Sequence, residues 1–396
     1  MKNRIIKDIP ELVTTLREQA ARCRDFVVPQ SKMKFAIDET VEASKIIQQL
    51  ALRIEGKGAY RIEEQVHGQF GAKFEIPMTY YSRMRADSVD LLTQNLNHWR
   101  EKSAASKRLV RLIDDKVRGF VSDRYRPLSH LDLLTTAIQT ITGADAEKGG
   151  YAKGAICFGW NVDPKRMDVC LMNPTMVIDL KAIEKGVQKN EVGGYDPDGE
   201  NHGWVKAKHG NDGGHFVFPA AFLGNSETGF GGLSVRVGLY EALCDNTARL
   251  GHDLAIRHLG KTLDEGELVF SAVTQEKENA ATYSKVADII RQAFDPASLI
   301  VNAKKMAGLA DESIDDVREV VTEIAKLPGM TEGVRDDILA AYKPVGRKDT
   351  LLDIQRAVTA AAHEHRQSRP ELAEALESLG GDLIEKRGLA LVVAKK

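Results

Sequence analysis

Residues 155–173 read AICFGWNVDPKRMDVCLMN, and this stretch decides the fold of the middle of the chain. Two apolar runs with strand character, at 155–162 and 167–173, flank the tetrapeptide Asp163-Pro164-Lys165-Arg166. Proline pre-sets φ at the second position of a turn, and a preceding aspartate can bond the turn backbone. The stretch therefore predicts a β-hairpin, and with it an antiparallel pair of strands.

Further strands are predicted on both sides of this hairpin. The strand-like runs lie at 117–122, 216–222, 233–238 and 254–258. A helix is predicted between the first run and the hairpin, at 130–141, with Ser129 as its N-cap and Leu131, Leu134, Ile138 and Ile141 on one face. Because strands and helices do not alternate regularly, the pattern favours an α+β fold with a mixed or antiparallel central sheet.

The two ends of the chain are predicted to be helical, which divides it into three regions. Residues 1–106 form a mainly helical N-terminal region, with helices over 38–54 and over 87–99. The second of these helices has a predicted buried stripe of Val89, Leu92, Leu96 and Trp99. Residues 107–273 form a central α+β domain with a glycine-rich loop at 186–214. Residues 274–396 form a helical C-terminal region whose later helices end at Pro344 and at Gly380-Gly381.

Composition limits the functional classes. The chain has 396 residues, a formal net charge of −2 and 6% aromatic residues, so a uniformly basic DNA coat is excluded and any nucleic-acid contact must be a local patch. The four cysteines form no CxxC pair and indicate reduced thiols. Neither a signal peptide nor an apolar run long enough to span a membrane is present, which predicts a cytoplasmic protein without membrane partners.

The most informative segment for function is basic. Residues 100–126 hold nine Lys and Arg side chains against four acids. Cations can neutralise backbone phosphates, and an aromatic ring can stack on an unpaired base. The candidate nucleic-acid-binding residues are Lys107, Arg108, Arg111, Arg118, Arg124, Tyr125 and Arg126. The strand is predicted near 117–126, and a helix is predicted before it. The alternative interpretation is a solvated surface whose arginines pair with nearby aspartates.

Other motifs favour ordinary structural roles. His202, His209 and His215 have no standard zinc spacing and are interpreted as exposed loop residues. The segment 224–229 lacks the Gly-Lys-Ser/Thr ending of a phosphate-binding loop, and we predict a turn between two strands. The Leu327-Pro328-Gly329 sequence is only a weak match to a helix-hairpin-helix element. No complete catalytic motif, cofactor motif or metal-ligand pattern is found.

Several segments together resemble the phage/plasmid-like proteins grouped as domain of unknown function 932. The resemblance is carried by 76–85, by 91–99, by SDRYRPL at 122–128 and its flanks, by NSETG at 225–229 with the strand after it, and by ESLGG at 377–381. It covers most of the chain. The family pattern has glycine after Asn246, where this chain has Thr247.

The resemblance implies a protein of a mobile element, acting in DNA metabolism or in conflict with a host. Our first hypothesis is a homo-oligomer that binds or anneals single-stranded DNA in recombination or replication, by analogy at fold level with the annealing proteins of phages. The alternatives are an element-encoded protein that binds a host factor, and an enzyme whose site lies near 186–230.

Overall fold

The computed structural model describes residues 9–37, 50–142, 155–173, 175–180, 216–241, 246–250, 254–256, 272–327, 330, 333–344, 346, 348–365 and 369–385. Within these residues the chain folds into two β-sheets and eleven α-helices, with helices at both ends. The predicted α+β class is therefore confirmed.

The first sheet has six strands in the described residues and is formed by sequence on both sides of 106. The strands are β1 (Cys23–Pro29), β2 (Met33–Ile37), β3 (Leu50–Ile54), β4 (Gly58–Ile62), β5 (Lys107–Ile113) and β6 (Lys116–Ser122). Their order is β1-β5-β6-β4-β3-β2. All neighbours are antiparallel except β4 and β6, which are parallel.

Three helices cover one face of this sheet: α2 (Val66–Lys73), α3 (Met78–Asp87) and α4 (Val89–Lys102). Side chains alternate between the two faces of a strand, so every second residue enters the core. On β3, for example, Leu50, Leu52 and Ile54 are buried with the helices, whereas Arg53 is exposed on the other face. The first sheet therefore has one apolar face under helices and one face that is largely polar.

The second sheet has seven strands, all antiparallel, in the described part of the chain. They are β7 (Ile156–Val162), β8 (Met167–Met172), β9 (Ile178–Asp179), β10 (Phe216–Asn225), β11 (Leu233–Glu241), β12 (Asn246–Arg249) and β13 (Leu254–Ile256). The main order is β12-β11-β10-β8-β7, with β13 on β11 and β9 on β10. The predicted hairpin joins β7 to β8, and Asp163 Oδ1 accepts hydrogen bonds from Lys165 N at 2.7 Å and Arg166 N at 2.9 Å.

The remaining helices enclose the second sheet. They are α1 (Ile9–Arg22), α5 (His130–Thr142), α6 (Ala272–Ala293), α7 (Pro296–Gly308), α8 (Val317–Ile324), α9 (Val334–Ala341), α10 (Leu351–His365) and α11 (Pro370–Glu385). One large apolar core joins these helices to the second sheet, and a separate core lies beneath α2–α4 on the first sheet. The predicted cap of α5 is present, because Ser129 Oγ accepts from Asp132 N at 3.2 Å.

The N-terminal region contains four strands of the first sheet beside its helices, and no strand was predicted there. Residues 50–54 form strand β3, although helical spacing was expected there. Leu50, Leu52 and Ile54 occupy every second position, as in a strand, whereas Leu50 and Ile54 also satisfy a helical period. On α4 the predicted stripe holds for Val89, Leu92 and Leu96, but Trp99 is 46% exposed and lies outside the core.

The chain also departs from the predicted regional boundaries. The first sheet continues across 106/107, because β5 and β6 pair with strands from the first 62 residues. Residues 107–113 form a strand, so Lys107 and Arg108 do not lie on a helix. At the other end, Gly380 and Gly381 lie inside α11 and do not terminate it, because their missing side chains allow close packing.

Several predicted features lie outside the described residues. These are the glycine-rich loop at 186–214, the three loop histidines, the 38–49 part of the helix predicted over 38–54 and the Pro328-Gly329 dipeptide. In the part that is described, no helix combines the length and the apolar character needed to cross a membrane.

Candidate functional site

The two segments that carry the resemblance most specifically meet in space. The turn between β10 and β11 contacts the chain that leads from β6 into α5. Tyr125 Oη donates a hydrogen bond to Ser226 O at 2.7 Å, and Asn225 Nδ2 donates to Leu128 O at 2.8 Å. His130 Nε2 donates to Asn225 O at 3.1 Å. The turn 225–229 is thereby fixed against the first sheet, as expected of a turn and not of a phosphate loop.

A buried charge cluster lies at this junction. Glu227 forms an ion pair with Arg118, and its Oε1 accepts from the backbone N of His130 at 2.8 Å. Arg111 donates to the backbone carbonyl of Glu227 and pairs with Asp25, its Nε lying 3.0 Å from Asp25 Oδ1. Arg118 also donates to Cys23 Sγ at 3.1 Å. Each of these two arginines is therefore held by protein groups.

Local sequence explains why the cluster can form. The register of β5 against β6 shifts after Arg111. Arg111 lies opposite Gly119, and Leu112 lies opposite Val117, so Arg118 forms a β-bulge without a partner position on β5. A Cβ on Gly119 would lie 3.4 Å from Thr228, and Gly229 has φ +90° with Val121 close by. Both glycines therefore let the turn approach the sheet, and Gly229 also supplies a left-handed conformation.

The cluster contains one titratable group that is charged at pH 7, Glu227, and one that is neutral, His130. Burial alone raises the pKa of a carboxyl, but neighbouring arginines and the hydrogen bond from His130 N hold the pKa of Glu227 well below its usual value. Burial lowers the pKa of His130 to about 4, so its ring is neutral at pH 7. The neutral ring donates through Nε2, which leaves Nδ1 as an acceptor.

A cavity of about 170 Å³ opens beside this cluster. It lies between α1, the β5–β6 turn, the end of β4, the Asp163–Pro164 turn and the 225–229 turn. His130, Arg118 and Glu227 form its inner wall, and Ile113 and Lys116 lie on the sheet side. Within the described residues, no group of three or more His, Cys, Asp or Glu side chains is arranged to hold a metal ion.

A second candidate site is a basic groove at the end of β2, β3 and β4, with a volume of about 630 Å³. Its wall carries four cations, Lys32, Lys34, Arg53 and Arg100, against one acid, Glu55. The turn after β3 brings the strands together here, with φ +70° at Gly56 and +114° at Gly58. Such positive φ values favour glycine.

The groove opens onto a line of cations on the polar face of the first sheet. Lys34 lies directly opposite Arg53 on the neighbouring strand, and Arg61 lies directly opposite Lys116. Arg61 also pairs with Ala51, two residues from Arg53. These four side chains are exposed and form a continuous line across β2, β3, β4 and β6, which we call the basic row. Neighbouring strands are about 4.8 Å apart, so the row spans roughly 15 Å.

The seven predicted residues are not brought together on one open surface. Arg111, Arg118 and Tyr125 are buried in the cluster just described. Arg126 is half-buried and binds Glu278 and Asn279 on α6. Arg108 is half-buried beside the Phe120 ring, at 5.8 Å from its centroid. The exposed members are Lys107 and Arg124.

The basic row was missed in the sequence, although a signal is present. In 33–37, 50–54 and 58–62, apolar residues alternate with Lys34, Arg53 and Arg61. Alternation with cations at the polar positions is typical of a half-buried strand with a basic outer face. The helical interpretation of 38–54 hid part of this pattern, because it placed Arg53 on a helix and left no strand between 33–37 and 58–62.

The two buried histidines predict a loss of stability in mild acid. Burial lowers the pKa of both His67 and His130 from 6.5 to about 4. Between pH 6.5 and 4 the unfolded chain therefore binds more protons than the folded chain. The free energy of unfolding has its full value above pH 6.5 and decreases as the pH falls towards 4. The loss is about 3 kcal/mol per histidine. Urea unfolding at pH 7.0, 5.5 and 4.5 measures it, and equal midpoints would contradict it.

The chain was compared with family models, with curated proteins and with solved structures. No family model matches it, and neither a curated protein nor a solved structure matches it. The resemblance to domain of unknown function 932 therefore stays a prediction.

Proposed function

We propose that the protein binds single-stranded DNA, and that the strand lies along the basic row and in the basic groove. The observation that carries this proposal is the direct cross-strand pairing of Lys34 with Arg53 on an exposed face. Two cations directly opposite each other on an exposed sheet face attract an anion. Phosphates spaced along a strand supply such an anion at every nucleotide.

The surroundings of the row support the same conclusion. Lys32 and Lys34 have no ion-pair partner within the described part of the chain, so their charge is available to a ligand. The formal net charge of the whole chain is −2, so a cluster of cations on one sheet face is a local departure from the composition. A local patch is the form in which a protein of this composition can bind a nucleic acid.

This proposal moves the contact surface away from most of the residues first predicted. Arg111, Arg118 and Tyr125 stabilise the junction between the two sheets and are inaccessible to a strand. Lys107 and Arg124 are exposed but lie outside the basic row. A mobile-element origin, homo-oligomer formation and a role in annealing remain proposals that rest on the resemblance.

Binding is expected to depend steeply on salt. Four phosphate contacts to a single strand give a slope of log affinity against log salt of about −3, which is roughly a 50-fold loss between 50 and 200 mM salt. Fluorescence anisotropy with a labelled 20-nucleotide DNA strand measures this slope. In Lys34→Gln/Arg53→Gln the magnitude of this slope is expected to decrease by about 1.4.

The matched control is Lys304→Gln/Lys305→Gln, which removes the same charge from an exposed position on α7. It is expected to leave the slope unchanged. Absence of binding at micromolar protein, or equal slopes for the two double variants, would overturn the proposed function.

A second candidate function is binding of a host protein, and exposed apolar side chains on two helices that contact each other favour it. Met78 and Tyr80 on α3 and Leu91 and Trp99 on α4 are between 42% and 50% exposed. They are four of the six large apolar side chains that are most exposed in the described residues. Exposed apolar patches mark contact sites. If the anisotropy experiment shows no DNA binding, this surface becomes the leading candidate, and a host-lysate pull-down with wild type and Tyr80→Ala/Trp99→Ala tests it.

A further inference from the structure

We propose that β1 is a docking edge for a second copy of this chain, with the β1 strands of the two subunits paired antiparallel about a two-fold axis. Within the described residues, β1 and β2 are the two edge strands of the first sheet. The edge of a sheet presents unpaired backbone N–H and C=O groups, which are a template for pairing with another chain. Neither the resemblance nor the proposed DNA binding is needed for this docking.

The open side of β1 carries backbone groups without partners. Gln30, the residue after β1, donates from its backbone N to Ser106 O at 2.9 Å and continues the pairing of β1 with β5. Alternate residues of an antiparallel strand bond to the same neighbour, so the even-numbered residues of β1 bond to β5 and the odd-numbered ones point away from it. In the part of the chain that the structure describes, no group bonds to the backbone N or O of Asp25 or Val27.

The other edge of the same sheet is blocked at its centre. On β2 the backbone N of Phe35 donates to Asn97 Oδ1, and Asn97 Nδ2 donates to Phe35 O, both at 2.9 Å. The side chain of Asn97, on α4, therefore occupies the place of a neighbouring strand. Native proteins cover exposed edges to prevent pairing with other chains. A head-to-tail contact of β1 with β2 is thus prevented, and a pairing of β1 with β1 needs only the open edge.

The side chains of β1 also suit a neighbouring strand. Val27 is 58% exposed, which is the largest fraction among the large apolar side chains of the described residues. The two charged side chains of β1 are held within the subunit, because Arg24 Nη2 donates to Asp114 O at 2.9 Å and Asp25 pairs with Arg111. A second strand at this edge removes Val27 from water, which favours association.

The sequence of β1 favours one symmetric register. With the two-fold axis at Phe26, Asp25 lies opposite Val27 of the partner subunit, and the two such pairs form four backbone hydrogen bonds. An axis at Asp25 would set two aspartates directly opposite each other, which destabilises a sheet. An axis at Val27 would set Asp25 opposite Pro29, which has no N–H to donate. The axis at Phe26 therefore lets both Asp25 and Val27 use all their backbone groups without opposing like charges.

Substitutions of opposite charge at Val27 test both the docking edge and its register. Sedimentation velocity at about 1 to 200 µM protein measures the dimer dissociation constant. Val27→Asp sets a second carboxylate opposite Asp25 in both pairs of the dimer and is expected to raise this constant about tenfold or more. Val27→Lys, the matched control, removes the same apolar side chain but sets a cation opposite Asp25. It is expected to stay within about threefold of the wild type.

Val27→Pro gives a second measurement, because the lost N–H points away from β5 and the substitution breaks no hydrogen bond within the subunit. The variant is expected to keep the wild-type urea midpoint and to lose the dimer. A wild type that is monomeric at about 200 µM overturns the inference, and so does a dimer that Val27→Asp leaves intact. Equal weakening by Val27→Asp and Val27→Lys also overturns it. Salt-dependent DNA binding by a monomeric wild type would still support the proposed function.

Discussion

Replacing Gly381 by alanine is expected to destabilise the protein by about 3 kcal/mol, because the helix lies too close to the sheet for a side chain. A Cβ at this position would lie 1.9 Å from the carbonyl oxygen of Arg249 on β12 and 2.5 Å from its carbonyl carbon. Both are backbone atoms, so the clash is relieved only by moving α11 or β12. The higher helix propensity of alanine recovers only about 1 kcal/mol. Urea unfolding followed by circular dichroism measures the loss.

Gly308→Ala is the matched control for this substitution. Gly308 is the last residue of α7, and a Cβ there meets no atom within 4 Å. The control is expected to be neutral or slightly stabilising. Equal stability of the wild type and Gly381→Ala would show that α11 does not approach β12 as closely as described.

The close approach also explains a buried ion network. Arg249 Nε pairs with Glu377 at 2.7 Å and its Nη1 pairs with Glu374 at 3.1 Å, both on α11. Thr247 Oγ1 donates to Glu377 at 2.7 Å. These short contacts are possible because Gly381 lets the helix backbone rest on the strand. The Glu-Ser-Leu-Gly-Gly sequence at 377–381 is therefore accounted for by packing and charge pairing.

The second large effect is expected from Glu227→Ala, at about 4 kcal/mol of lost stability. Arg118 is only 8% exposed, and removal of Glu227 leaves its charge buried without its carboxylate partner. The substitution also removes the acceptor for the backbone N of His130. Breaking a buried pair from one side costs more than the pair contributes, because the remaining charge is not solvated. Thermal and urea unfolding measure the effect.

Glu278→Ala is the control, because Glu278 also pairs with an arginine of the 107–126 segment. Its partner is Arg126, at 3.2 Å, and the carboxylate side chain is 44% exposed. An exposed pair of this kind contributes less than about 1 kcal/mol. If Glu227→Ala is no more destabilising than Glu278→Ala, the cluster does not hold the two sheets together.

The sequence predicted the elements whose signals are local. The Asp-Pro turn at 163–166 predicts the β7–β8 hairpin, and the apolar face after Ser129 predicts α5, and both are confirmed. The N-terminal sheet was missed because strand and helix periods overlap in short apolar runs such as 50–54. Tertiary pairing decides between them, since β3 lies between β2 and β4.

The candidate site was less accessible to sequence reasoning, because it depends on contacts distant in the chain. Arg118 and Tyr125 were identified as candidates for DNA contact, but Glu227 and Ser226, about 100 residues later, bind them inside the protein. A charge cluster in a sequence does not show where its counter-charges lie. The basic row, in contrast, needs the register of four strands before Lys34 and Lys116 can be seen in one line.

We propose that the DNA strand lies on the first sheet. The most direct measurement compares the salt slopes of the wild type, Lys34→Gln/Arg53→Gln and Lys107→Gln/Arg124→Gln in the same anisotropy experiment. The two double variants remove equal charge from exposed positions of neighbouring surfaces. We predict that Lys34→Gln/Arg53→Gln decreases the magnitude of the salt slope by about 1.4. Lys107→Gln/Arg124→Gln is predicted to change this magnitude by less than about 0.5. The opposite result, a smaller slope magnitude only in Lys107→Gln/Arg124→Gln, would contradict this position of the DNA strand.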